Sequence, residues 1–144
     1  MASRREQVLD AVQALVKAAL PNADVERNRD KAKSIGPGGT VIIRDGDMGE
    51  PEVTLSPLTY TYEHRIELEI GTYASASKTA AQVLDEMMSP LADLVMADRT
   101  LGGLCEWLEA EAPTTDSIET LGAEAGRWAD TGLRAIYSTP NPLT

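Results

Sequence analysis

The chain has 144 residues, 42% of them hydrophobic, with 13 Lys and Arg against 23 Asp and Glu and a formal net charge of -10. That length suits one domain able to bury a core without disulfides or metal, and a mean hydropathy of -0.22 with a pI near 4.5 places it in the soluble globular class. Scarce, unclustered cations exclude tight binding to a nucleic-acid backbone, and no apolar run approaches the ~20 residues that cross a bilayer.

Ser3 and Glu6 stand at capping-box spacing, and Val8, Leu9, Val12, Leu15, Val16 and Leu20 follow at helical intervals, predicting a first helix over residues 3–20. The opening MASRREQ lacks the apolar stretch of a signal peptide, so the expected compartment is the one where the chain is made. Pro21-Asn22 stops the helix. A short strand near Val25 and then a solvated loop through Arg27–Lys33 (RNRDKAK) are expected next. After the turn cluster Gly36-Pro37-Gly38-Gly39, the β-branched TVIIR at 40–44 reads as a strand. Asp45-Gly46 reads as a turn, residues 47–51 as a polar tip and Glu52–Leu55 as another strand.

Residues 58–70, LTYTYEHRIELEI, alternate without a break. Leu58, Tyr60, Tyr62, His64, Ile66, Leu68 and Ile70 fall on one face, opposite Thr59, Thr61, Glu63, Arg65, Glu67 and Glu69, which is a half-buried strand with a charged outer face. At ~3.3 Å per residue it reaches roughly 43 Å, against a diameter of roughly 37 Å for a compact domain of this size. Such a strand spans its domain, and any overhang offers backbone groups to another chain.

After the small residues Gly71–Ser77, a helix from about Ser77 carries a stripe from Ala80 to Val95, with Pro90 expected to kink it. Leu101-Gly102-Gly103-Leu104 is a tight bend. Residues 104–112 fit helix or strand, 113–117 a loop, 118–121 a short strand and 127–139 a last strand. The fold class is therefore α+β: a mostly antiparallel sheet with two helices packed on one face, in the order α-β-β-β-α-β-β, as a single domain over 1–144.

No catalytic, cofactor-binding or metal constellation emerges. His64, the one histidine, lies on the apolar face and reads as a hydrogen-bonded core or interface residue, with no signalled nucleophile or orienting acid. Cys105 neighbours Glu106 and Trp107 without a cation to activate it and reads as a buried thiol; alone, it can form no internal disulfide, in keeping with a reducing cytoplasm. Gly36–Gly39 lacks the Lys-Ser or Lys-Thr of a P-loop, and Asp45, Asp47 and Glu50 depart from the EF-hand pattern after its second carboxylate. The large anchors Tyr60, Tyr62, Trp107 and Trp128 are of types enriched at interface hot spots, with core as the default for both tyrosines. The Met87-Met88 pair reads as core packing.

Several segments in order resemble the tail terminator family of long-tailed bacteriophages and prophages: VERNRDKAKSI, TVIIRDGDMGEP, LTYTYEHRIELEIGTYA, TAAQVLDEMMSPLADLVMADRTLGGL and the closing RWADTGLRAIYSTPNP. The most telling is DRTLGGL, Asp98 to Leu104, between the second helix and the last strands. The resemblance implies a virion structural subunit, assembled in the host cytoplasm, that closes into a homo-hexameric ring on the finished tail tube. Its implied partners are further copies of itself, the tail tube protein and the head-to-tail connector, with DNA passing through the bore without sequence-specific binding. No cofactor and no membrane is implied. On this reading Arg27, Arg29, Lys31, Lys33, Asp45, Asp47, Glu50, Tyr60 and Trp128 are the interface candidates, and an acidic wall would let DNA slide where a basic one would hold it. A different neck or connector subunit, and a small enzyme or ligand-binding protein, remain the alternatives.

Overall fold

The computed structural model describes residues 2–29, 35–121 and 124–144, without the side chains of 116–121 and 124–125. The elements run α1 (Arg4–Ala19), β1 (Asp24–Arg27), β2 (Thr40–Asp47), β3 (Glu52–Thr54), β4 (Thr59–Tyr73), α2 (Ala80–Ala97), β5 (Trp107–Ala110), β6 (Thr114–Leu121) and β7 (Glu124–Thr139). The α+β class and the order helix, strands, helix, strands are as expected, with four strands between the helices and three after the second. The sheet is mixed only in that β1 runs parallel to β2; every other pair is antiparallel.

Two long strands form the spine. β4 and β7 pair from Tyr60 with Thr139 to Tyr73 with Gly126. Each then carries two shorter strands on its other edge: β2 and β3 lie along β4, β5 and β6 along β7, and β1 lies outside β2. The long strand anticipated at 58–70 exists, and at 15 residues it is longer than the pattern indicated. It does not overhang. β7 grows to 16 residues and covers one edge of β4 along its length, while β2 and β3 take the other. The free edges lie instead on β1, β3, β5 and β6.

Both helices pack on one face. Val8, Leu9, Val12 and Val16 of α1 and Leu84, Met87, Leu91 and Val95 of α2 share a core with Val41, Ile43, Ile66, Leu68, Ile70, Ala129, Leu133 and Ala135 of the sheet. Burying a side chain of this size is worth about 1.5–3 kcal/mol, so this layer dominates stability. α2 opens with a complete capping box between Thr79 and Gln82. In α1 only half the box forms: Ser3 accepts from the Glu6 backbone N–H, and the Glu6 carboxylate turns to Arg27. Pro90 lies inside α2, which continues to Ala97.

Three local readings need correction. Asp45-Gly46 is not a turn but part of β2, where the register against β4 shifts between Arg44 and Asp47. Gly46 has φ +69°, and a Cβ there would stand 2.0 Å from the Arg65 carbonyl oxygen, so only glycine fits this bulge. Residues 114–117 are strand rather than loop, because β7 offers them a ladder: Thr114 pairs with Asp130, Thr115 with Ala129 and Asp116 with Trp128. Gly71–Tyr73, expected to be a connection, extend β4.

Candidate interface

The basic stretch is tied down rather than solvated where it is described. Arg27 donates to both Glu6 carboxylate oxygens at 3.1 and 3.2 Å and to Asp45 at 2.9 Å, clamping α1 to the end of β2. That clamp holds the Glu6 carboxyl below its usual range. Burial pushes Asp45 the other way, yet the Arg27 hydrogen bond and charge leave it lowered as well. Arg29, with its side chain 9% exposed, bridges Asp24 and Glu26. Lys31 and Lys33 lie outside the described residues. Arg27, Arg29 and Asp45, three of the interface candidates, thus also hold ion pairs within this chain.

Asp47 accepts from the Gly49 N–H at 2.8 Å and closes a small surface turn; Glu50 beyond it is exposed. Tyr60 is half-buried against the core. Trp128 is 4% exposed on the sheet face away from the helices, packed with Ile35, Ile42 and Tyr73. Gly71 stands opposite it in register, where a Cβ would come within 2.8 Å of its ring. This tryptophan therefore packs in a second small core.

The bulge in β2 has a chemical use. It frees the Asp45 carbonyl from the ladder, and His64 Nε2 bonds to it, while Nδ1 meets the Tyr137 hydroxyl at 2.8 Å. A carbonyl only accepts, so Nε2 carries the proton, and in the neutral ring Nδ1 accepts from Tyr137. His64 is 1% exposed. Burial lowers its pKa despite the Asp45 carbonyl and carboxylate, which favour the proton, and pushes Tyr137 up to about 12. Cys105 is buried as expected, its thiol donating to the Arg99 carbonyl, and burial raises its pKa. Such a thiol is a poor nucleophile.

The sequence reading missed where apolar surface remains open. Val53, Leu55 and Leu58, at the tip joining β3 to β4, are 49%, 77% and 46% exposed. Their signal was available: residues 53–62, VTLSPLTYTY, form an uncharged run in a strongly acidic chain. Leu58, expected on the buried face, precedes the strand and lies open. On the opposite edge Trp107, one of the four expected anchors, is 45% exposed, with the Arg99 guanidinium 4.6 Å above its ring and its Nε1–H donating to Glu109. Nearby, a cleft of about 160 Å³ opens between α2 and the β5–β6 side of β7.

The outer face of the sheet carries a ladder of ion pairs: Arg44 with Glu69, Arg65 with Glu67 and Glu111, and Arg134 with Glu63 and Glu111. Among the described residues no group of three or more His, Cys, Asp or Glu is placed to hold a metal ion. No described helix is long and apolar enough to cross a membrane. No protein-family model matches the chain. A search of curated proteins finds no match either.

Proposed function

We propose that the chain is a virion structural subunit of the tail terminator kind, which caps the completed tail tube as a ring, ends its polymerisation and presents a surface to the head-to-tail connector. The observation that carries this reading is the cluster of three open apolar side chains, Val53, Leu55 and Leu58, at one tip of a chain of net charge -10, with Met96, Trp107 and Leu143 the other large apolar side chains exposed among the described residues. Exposed apolar clusters rimmed by polar groups mark association surfaces. The ordered resemblance of TVIIRDGDMGEP, LTYTYEHRIELEIGTYA and DRTLGGL supplies the kind of assembly. These segments form β2 and the turn after it, β4, and the loop that leads α2 into β5.

DRTLGGL has a defined shape. Asp98 accepts from the Gly102 N–H and the Thr100 hydroxyl, and Leu101, 7% exposed, anchors the bend in the core despite φ +50°. The loop thereby fixes Arg99 over Trp107 on the free β5 edge, which suits a presented docking surface better than a concealed reaction site. Electron microscopy of particles from a strain lacking this protein tests the function. Overlong tails without heads are expected; tails of normal length joined to heads would overturn the reading. A neck subunit instead leaves tails of normal length that fail to join.

A further inference from the structure

Resting on that assembly reading, we propose that the β3–β4 tip of one copy seats in the apolar cleft between α2 and β7 of the next copy, with Leu55 as the entering side chain. The cleft is lined by Leu68, Met88, Leu91, Val95, Ala110 and Leu133. Its volume of about 160 Å³ is close to that of the ~150 Å³ apolar cavities that accept a benzene-sized group. A leucine side chain is smaller than that.

Charge selects the same pairing. Two copies of net charge -10 repel over most of their surfaces. The tip is uncharged from Val53 to Tyr62, and among the described residues lining the cleft the one carboxylate, Glu111, is already matched by Arg65 at 2.8 Å and Arg134 at 3.5 Å. Tip and cleft therefore form a place where like-charged copies can approach closely.

Topology makes the contact directional. The tip lies on the β2 side of β4 and the cleft on the β5 side of β7, so knob and hole sit on opposite edges of one sheet. A contact between two different patches is heterologous and propagates, closing into a ring when the rotation allows. The area sets its strength. Covering the exposed parts of three such side chains removes on the order of 200 Å² of apolar surface, about a quarter of the ~800 Å² per partner in a stable pairwise complex. A single pair is thus transient, and the contact persists where copies repeat around a closed circle or stand on a template.

Disulfide trapping tests this directly. Leu55→Cys combined with Ala92→Cys, in a Cys105→Ser background, is oxidised at millimolar concentration and run on a non-reducing gel. Ala92 is exposed at the cleft, so both introduced thiols reach solvent. The double variant is expected to give a ladder of trimers and larger species in which mass spectrometry finds position 55 linked to position 92, while either single variant stops at a dimer; a ladder joined only 55 to 55 and 92 to 92 would overturn the contact. A double variant that links no further than the singles, with circular dichroism showing all of them folded, would overturn the contact. In particles, Leu55→Asp is expected to reproduce the overlong, headless tails of the deletion strain. Normal particles from Leu55→Asp beside defective ones from the deletion remove this contact and leave termination standing; normal particles from both remove termination itself.

Discussion

At the scale of single residues, the bulge in β2 joins backbone geometry to side-chain protonation. Gly46→Ala places a Cβ against the Arg65 carbonyl and in a left-handed conformation, so a loss of about 2 kcal/mol or more is expected in urea unfolding. His64 adds a dependence on pH. Its folded pKa lies below the ordinary 6.5, so the unfolded chain takes up the proton first. The stability it contributes is complete above about pH 7 and is lost as pH falls through 6.5 toward the folded value. The melting temperature should accordingly decline between pH 7.5 and 5.5, and His64→Gln should flatten that decline. Glu6 and Asp45, both lowered, act in a separate window, their contribution being lost as pH drops below the usual carboxylate range. A profile flat to pH 5 in the native protein would remove the neutral-imidazole assignment.

At the scale of elements, strong periodicity was readable and pairing was not. The alternation from Tyr60 to Ile70 gave β4 its faces, and the apolar spacing of α1 and α2 gave the helices theirs. Thr114–Ser117 carried no period that distinguishes strand from loop; a long neighbour with an unfilled edge makes them a strand. The same blindness affected the site. Trp128 and Trp107 are one residue type in similarly polar surroundings, yet a glycine across the sheet sinks the first while a free edge leaves the second open. Arg27 looked like loop charge because its partners, Glu6 and Asp45, come from distant parts of the chain. Contacts set by register leave no trace in a local window.

At the scale of the whole molecule, charge and shape act against each other. Each copy repels the next, and the proposed contact between copies is apolar. Added sodium chloride shortens the screening length from about 10 Å at 0.1 M to about 3 Å at 1 M. Self-association measured by sedimentation should therefore strengthen with salt, whereas an interface held by ion pairs would weaken. The spine has one more consequence, for the order in which the protein is made. Thr61 and Ser138 share a hydrogen bond across 77 positions, so the two longest strands cannot meet until the chain through Ser138 has left the ribosome. Until then one edge of β4 is an open, half-greasy template, and β7 of the same chain must win the race against neighbouring nascent chains for that edge.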